Sequence, residues 1–340
     1  MRKMESNSPT IRTQSGNINL NTSRITIPPA INFHITERCN YGCRFCFARY
    51  GEYRNEISLK DAKKVIDMVA MAGVEKINFA GGEPTLDNRL PNLITHASSH
   101  DLFVSLISNG TGITTSLLDE CGDHLDMIGL SIDSAKESVE RKLGRGFRKS
   151  INGLNSQSDS VENGHVTMIL EKADLIQRHG IALKINTTIT PLNCREDMHP
   201  LMETIRPERW KVFEVHRIHG INDHFFENYS IKIPKAKFHS EFMLFIDRHS
   251  DLHPVYETSD MMTESYLMIT PDGRLHQNTG NVPHYSGPVL KQGFIGALSQ
   301  VGFSLQKFLA RSGGYFRKMN SSASINLGGD SKELPREVKV

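Results

Sequence analysis

No stretch of this 340-residue chain approaches the about 18–20 uncharged apolar residues that a membrane-spanning helix needs. Residues 1–21 carry neither the apolar centre of a secretion signal nor a strong amphipathic stripe. They read as a flexible lead-in, and the protein as cytoplasmic. Charge of one sign is also missing: 40 Lys and Arg face 38 Asp and Glu, a net +2. That excludes broad electrostatic capture of nucleic acid or anionic membrane, but not a small anionic ligand met by a few focused cations. Five cysteines are too few for a disulfide scaffold. Cys121 and Cys194 stand alone and read as ordinary core or loop residues. The other three crowd into one short segment, and no cysteine follows Cys194, which leaves a second cluster in the C-terminal part without thiolates.

Short β-rich runs at residues 31–36, 76–80, 103–108, 127–132, 182–188 and 210–215 alternate with helical patterns. The helix over 59–71 has Ser58 as its cap, with Asp61 placed to return a hydrogen bond, and Gly73 as its stop. Further helices are expected near 90–98 and 116–121, and the polar stretch 134–164 reads as loop with short helical turns. Repeated βα units favour parallel strands covered by helices. About six units are short of the eight of a full barrel, and periodicity alone leaves open a partial barrel or a doubly wound sheet. Beyond Gly220 a helix over 237–249 is followed by strands at 265–269 and 274–276 flanking Thr270-Pro-Asp-Gly273, a hairpin turn. Residues 279–296 read as loop, 305–310 as a short helix, and the chain after Lys318 as a polar tail.

Cys39-Asn-Tyr-Gly-Cys43-Arg-Phe-Cys46 follows the first strand directly. Thiolates are soft ligands suited to an iron–sulfur cluster or to zinc. Three of them leave a fourth coordination position open, which in a four-iron cluster can hold a cofactor and in a zinc site can be filled by His34. Gly81-Gly-Glu-Pro84, at the end of the second strand, pairs glycines that allow close backbone approach with Glu83, a carboxylate suited to a ligand ammonium.

The CxxxCxxC spacing, with Phe45 before the last cysteine, resembles the radical S-adenosylmethionine superfamily. The resemblance implies one 4Fe–4S cluster on Cys39, Cys43 and Cys46 and reductive cleavage of S-adenosylmethionine to a 5′-deoxyadenosyl radical. It also implies a cofactor site formed by Phe45, Gly81, Gly82, Glu83, Asn109, Ser131 and Arg145. Asn32-Phe-His34, Lys76-Ile-Asn-Phe-Ala-Gly-Gly-Glu-Pro84, Gly144-Arg-Gly146, Lys184-Ile-Asn186, Arg209-Trp-Lys-Val-Phe213 and Ser265-Tyr-Leu267 after Glu257 resemble the viperin family more closely, in order over about residues 31–316. The likeness is to a microbial homologue, because the amphipathic N-terminus of the animal proteins has no counterpart.

That family resemblance implies an α/β fold: a partial (β/α)6 barrel over 31–219, after a lead-in over 1–30. A C-terminal α+β extension over 220–318 closes the substrate site, and a tail covers 319–340. It implies dehydration of a ribonucleoside triphosphate (CTP, UTP or GTP), by removal of the ribose C4′ hydrogen and loss of the 3′ hydroxyl, to a chain-terminating 3′-deoxy-3′,4′-didehydro nucleotide used in antiviral defence. Lys76, Lys184, Arg209 and Lys211 are then expected to hold phosphates. Asn32, His34, Asn186 and Glu257 are expected to contact substrate, and Tyr266 to help supply the final hydrogen. Strand-end lysines and an arginine are also the residues that elementary electrostatics would select for a triphosphate. A monomer served by a one-electron donor such as flavodoxin or ferredoxin is expected.

The resemblance weakens after the hairpin, where Leu275-His-Gln-Asn-Thr-Gly280 replaces a cysteine and a basic run. It also weakens at the C-terminus, where the animal proteins end in tryptophan and this chain's only one is Trp210. Three other readings compete: a radical enzyme acting on another small molecule or a peptide, a zinc-stabilised protein without catalysis, and a nucleic-acid binder, which the balanced charge disfavours.

Overall fold

The computed structural model describes residues 25–48, 55–146, 164–228, 235–317 and 337–338. The βα rhythm yields six parallel strands: β1 (Ala30–His34), β2 (Lys76–Ala80), β3 (Phe103–Ser108), β4 (Met127–Ser131), β5 (Ala182–Ile189) and β6 (Arg209–Glu214). Each lies beside its predecessor. A doubly wound sheet reverses its order at a switch point; strictly sequential winding gives a partial barrel, and the choice that periodicity left open is made. The first helices between strands are α1 (Leu59–Met71), α2 (Leu90–Ser98), α3 (Thr115–Cys121) and α4 (Glu137–Leu143). They are followed by α5 (Gly164–Arg178), α6 (His199–Ile205), α7 (Asp223–Asn228) and α8 (Lys235–Arg248). At the start of α1 the Ser58 hydroxyl accepts from Asp61 N–H at 3.1 Å and donates to the Asp61 carboxylate at 2.9 Å. The expected lead-in through residue 24, the stretch 147–163 and the tail from 318 lie outside the described residues, except Glu337–Val338, which pairs with Ile25–Thr26.

Strand period two sorts the side chains. Ile31, Phe33, Ile77, Phe79, Leu106 and Leu183 point outward and are almost wholly buried against the helical layer, each stabilising the fold by about 1.5–3 kcal/mol. Among the alternate residues that face inward are Asn32, Asn78, Ser105, Lys184 and Asn186. Asn78 Nδ2 donates to Asn32 Oδ1 at 2.9 Å, and Ser105 Oγ donates to Asn78 Oδ1 at 2.8 Å, a polar row across three strands. Gly129 faces inward too, where a Cβ would collide with the stem of Lys184.

The segment after residue 219 continues the same sheet. β7 (Val255–Glu257) pairs parallel with β6, and β8 (Met268–Ile269) pairs parallel with β1. β9 (Arg274–Thr279) and β10 (Val282–Pro288) add antiparallel on the β8 side. The hairpin at Thr270–Gly273 is where the sequence placed it. The loop expected over 279–296 is not there: Gly280 and Asn281 both take positive φ, 56° and 65°, the backbone of a two-residue turn that matches strand twist. β10 therefore follows at once. Pro288 then opens α10 (Val289–Val301), after the short α9 (Ser259–Met262) and before α11 (Leu305–Ala310).

After α11 the chain crosses the N-terminal ends of the barrel strands. Phe308 and Phe316 pack with Phe103 and Met127 in a small second core, and Gly313 lies so close to Phe308 that a Cβ has no room. Phe308→Ala is expected to lower stability by about 3–5 kcal/mol, read from urea unfolding. A loss below 1 kcal/mol would mean that the plug contributes little to the fold.

Candidate active site

The cysteine loop between β1 and α1 has almost no ladder of its own, and other elements hold it. Gly82 N–H donates to Thr36 O at 2.8 Å and Glu83 N–H to Arg38 O at 2.8 Å. Gly42 N–H donates to Gly144 O at 3.3 Å, Arg44 N–H to Leu143 O at 3.0 Å, and Asn222 Nδ2 to Phe45 O at 3.0 Å. A Cβ on Gly82 would run into the Glu37 and Arg38 carbonyls, and one on Gly144 into the Gly42 carbonyl. Gly144 also sits at φ +85°, where side chains are strained.

Burial pushes the Cys39 thiol up to about 11 and Cys43 up to about 12, partly offset at Cys43 by the Arg145 guanidinium. Bare thiolates are therefore costly here, and a metal centre would displace the protons. Ligands of a single zinc ion lie about 3.8 Å apart, given Zn–S bonds near 2.3 Å. Among the described residues, neither the three thiols nor any set of them with His34 falls within 4.8 Å of one another. The trio is not grouped as the ligands of a single zinc ion are, which fits a larger cluster.

Glu83 is 1% exposed, and its carboxylate accepts from Thr85 N–H, Thr85 Oγ1, Ser108 Oγ and Asn109 N–H at 2.6–3.1 Å. Burial raises its pKa against these bonds. The carboxylate thus organises its own turn, with its oxygens already taken by protein donors. Asn109 Nδ2 donates to Asn40 Oδ1 at 2.8 Å, fixing the residue beside Cys39. Arg145 is paired with Asp133, whose Oδ1 accepts Thr188 N–H at 2.7 Å. Glu140 caps the same turn by accepting from the Asp133 and Ser134 N–H groups. His165, pushed down to about 3 chiefly by burial, is neutral. Its Nε2–H donates to Ser131 O at 3.0 Å, which leaves Nδ1 to accept from the Tyr41 hydroxyl at 3.1 Å.

A second constellation lines the barrel. Lys211 Nζ lies 2.5 Å from Glu257 Oε1 and 3.0 Å from Tyr266 Oη. The Tyr266 hydroxyl donates to Glu257 Oε2 at 2.7 Å. Arg311 reaches Glu257 Oε1 at 3.1 Å and stacks over the Tyr266 ring at 3.6 Å. Arg209 stacks over Tyr315 at 3.8 Å, and Lys76 Nζ donates to the Tyr315 hydroxyl at 2.7 Å. Lys184 stands among Lys76, Lys211 and Arg209 and is 8% exposed. Burial, then mutual repulsion, holds Lys76 and Lys184 well below the ordinary lysine value; burial brings Lys211 down to about 8. Asn186 Oδ1 and Arg209 Nε are buried with no hydrogen-bond partner among the described residues.

Residues 33–205 match the sequence pattern of the Radical SAM superfamily. Proteins named S-adenosylmethionine-dependent nucleotide dehydratase are similar over most of the chain. The one from Flammeovirga pacifica is 32% identical over 85% of this chain and 96% of its own length. The one from Oncorhynchus mykiss is 32% identical over 85% and 80%. The chain belongs to the S-adenosylmethionine-dependent nucleotide dehydratase family. A further relative, from Lacinutrix mariniflava, is 34% identical, and this chain spans 60% of its length. Two solved structures share the fold. Streptococcus suis SuiB bound to S-adenosylmethionine has TM-score 0.55 and 16% identity, covering 74% of this chain and 60% of that one. anSMEcpe, with bound AdoMet and a peptide, has 0.51 and 16%, covering 83% and 81%. As a radical SAM protein the chain uses S-adenosylmethionine and an iron–sulfur cluster.

Within this family framework the expected site residues fall into two groups. Cys39, Cys43, Cys46, Phe45, Gly81, Gly82, Glu83, Asn109, Ser131 and Arg145 gather at the C-terminal ends of β1–β4. Lys184, Asn186, Arg209, Lys211, Glu257 and Tyr266 meet inside the barrel, with Asn32 and His34 on the inner face of β1. Lys76 sits lowest, against the aromatic plug. Two residues carry bonds beyond the expected contacts: Glu83, expected at the cofactor, accepts from Thr85, Ser108 and Asn109, and Glu257, expected at substrate, meets two cations and a phenol. Arg311, Tyr315, Asp133, Glu140 and His165 were not singled out from sequence: Arg311, Tyr315 and His165 act through partners far away in the chain, while Asp133 and Glu140 lie in a polar stretch that reads as loop and meet Arg145 only once that stretch is folded. No helix among the described residues is long and apolar enough to cross a membrane.

Gly144→Ala is expected to leave the fold intact by circular dichroism but to cut iron bound after anaerobic reconstitution at least several-fold. Full iron content in the variant would show that the contact with Gly42 does not hold the cysteine loop.

Proposed function

We propose that this chain dehydrates a ribonucleoside triphosphate, CTP, UTP or GTP, to its 3′-deoxy-3′,4′-didehydro form, a chain terminator suited to antiviral defence, using one 4Fe–4S cluster on Cys39, Cys43 and Cys46. The observation that carries this reading is a charge imbalance. Lys76, Lys184, Lys211, Arg209 and Arg311 crowd together around two carboxylates, Glu257, which acts on Lys184, Lys211, Arg209 and Arg311, and Asp126, which acts on Lys76. Such an array is unfavourable by itself and is relieved by a polyanion. The similar proteins named nucleotide dehydratases support the same substrate class.

When bound, the cluster and S-adenosylmethionine supply the radical that removes the C4′ hydrogen. The chain's own residues do the rest. Lys184, Arg209, Lys211 and Lys76 hold phosphates, and Arg311 is a further donor beside them. Asn186 offers its unsatisfied Oδ1 to a substrate hydroxyl, and Asn32 with His34 lines the wall opposite. Burial keeps Tyr266 protonated, its pKa well above the usual phenol range. Its hydroxyl is poised to give the proton with which the 3′ hydroxyl departs as water, while an external one-electron donor balances the step. Lys211, at 3.0 Å, is placed to restore that proton.

Two experiments test this. Reconstituted enzyme incubated anaerobically with dithionite, S-adenosylmethionine and each nucleotide should give, by mass spectrometry, 5′-deoxyadenosine and a nucleotide lighter by one water. Tyr266→Phe should lower product by about 10²-fold or more with nucleotide affinity retained. If 5′-deoxyadenosine forms while all nucleotides stay intact, the substrate is another molecule or a peptide.

The second experiment reads the lysines. A bound triphosphate raises their depressed pKa values, so binding takes up protons where the free amines are partly neutral. Affinity should fall as pH rises through 8, the region where Lys211 titrates, by about tenfold per unit for each proton taken up. Calorimetry in buffers of different ionisation heat should give net proton uptake; zero uptake at pH 8 would contradict the phosphate role of these lysines.

A further inference from the structure

Two clusters of metal-ligating side chains lie outside the barrel, and each is judged by what its nitrogens already do. In the Asp197, His199 and His249 group, His249 is consumed. Its Nδ1–H donates to Phe245 O at 2.8 Å and its Nε2 accepts Met198 N–H at 2.9 Å. An ion there would have to displace a backbone bond.

The second group is different. Asp67 lies on α1, while His96 and His100 lie on and just past the last turn of α2, four residues apart, so both rings fall on one face. His96 Nε2 is 2.7 Å and His100 Nε2 is 2.8 Å from the same oxygen, Asp67 Oδ1. The two rings meet edge to face at 5.0 Å, and all three ligand atoms lie within 4.8 Å of one another. Two imidazole N–H groups converging on one carboxylate oxygen are the protonated counterpart of a two-histidine, one-carboxylate metal site. One ion replaces both N–H protons with only small outward movement of the rings. The side chains are 24–40% exposed, so an ion can enter from solvent. His96 also borders a cavity of about 320 Å³ lined by Lys63, Thr95, Ser99 and Glu120, where a fourth, water-filled position would open.

We propose that Asp67, His96 and His100 form a binding site for a divalent transition ion of the zinc class, separate from the cysteine loop, that ties α1 to α2. Two imidazoles and one carboxylate suit such an ion, whereas magnesium and calcium prefer all-oxygen sets. The ion would have a purely structural effect. α1 and α2 cover the strands that carry the cysteine loop and the Gly81–Glu83 turn, so pinning them stabilises the end of the barrel where the cluster sits.

The test uses enzyme already loaded with its iron–sulfur cluster, so that the thiols do not take the added ion. Zn²⁺ is titrated calorimetrically, and bound zinc is counted by elemental analysis after desalting. The wild type should hold one zinc per chain more than His96→Ala. His100→Ala and Asp67→Asn should weaken binding by at least about tenfold, while His199→Ala binds as the wild type does. With free Zn²⁺ at 100 times its Kd, the folding equilibrium should shift by about 100-fold toward the native state in the wild type and in His199→Ala, and by at least about tenfold less in the other three variants. Nucleotide turnover should be unchanged in all four variants. Equal zinc content and equal thermal shift in wild type, His96→Ala and His100→Ala would overturn the proposal.

Discussion

The structure depends on how closely two backbones approach around the cysteine loop. A loop with three cysteines and almost no ladder must borrow its hydrogen bonds, and it borrows them from the Gly81–Glu83 turn on one side and the end of α4 on the other. Both contacts exist because Gly82 and Gly144 have no Cβ to stand between the chains. Everything behind them serves that approach. Glu83 is saturated so that its turn cannot swing, Asn109 holds Asn40, and Glu140 and Asp133 hold Arg145 against the far side. The two glycine motifs, sixty residues apart in sequence, are two jaws of one clamp.

The barrel interior follows an opposite logic. At the cysteine end the buried carboxylates of Glu83 and Asp133 are matched by donors; in the cavity the positive groups outnumber their partners. Glu257 neutralises Lys211 and Arg311 and accepts from Tyr266, and those same bonds join the end of β7 to the chain entering β8. The sheet has no ladder between these two strands, β8 being paired with β1 and β9, so an ionic network and not strand pairing links them. That link and substrate charge are coupled: a polyanion near Lys211 competes with Glu257 for the same ammonium.

Much of this was legible in the sequence because it is local. The six strands, the cap at Ser58, the cysteine spacing and the turn after β8 are each set by neighbours within a few residues, alternation put Asn32 and His34 on one side of β1, and the lysines of β5 and β6 were marked by the family resemblance. What escaped was of two kinds. The Gly280-Asn281 turn was hidden in a polar stretch that reads as loop unless both residues are assigned positive φ. Arg311, Tyr315 and His165 carry no local pattern at all. Arg311 is one cation after a short helix, and only the folding of residues 303–317 across the strand ends places it over Tyr266.

That plug explains why Lys76, which begins its strand, is nevertheless buried. A lysine at the N-terminal end of a barrel strand would ordinarily reach solvent. Here the Tyr315 hydroxyl accepts a hydrogen bond from Lys76 Nζ, and the rings of Phe103 and Tyr315 lie 4.5–4.6 Å from that nitrogen, giving cation–π attraction in place of part of the lost hydration. The same tyrosine ring stacks on Arg209. One aromatic residue thus keeps two cations oriented into the cavity without neutralising either. A carboxylate in its place would satisfy them and cancel the charge that draws a polyanion in; an aromatic ring holds both groups without adding a negative charge of its own.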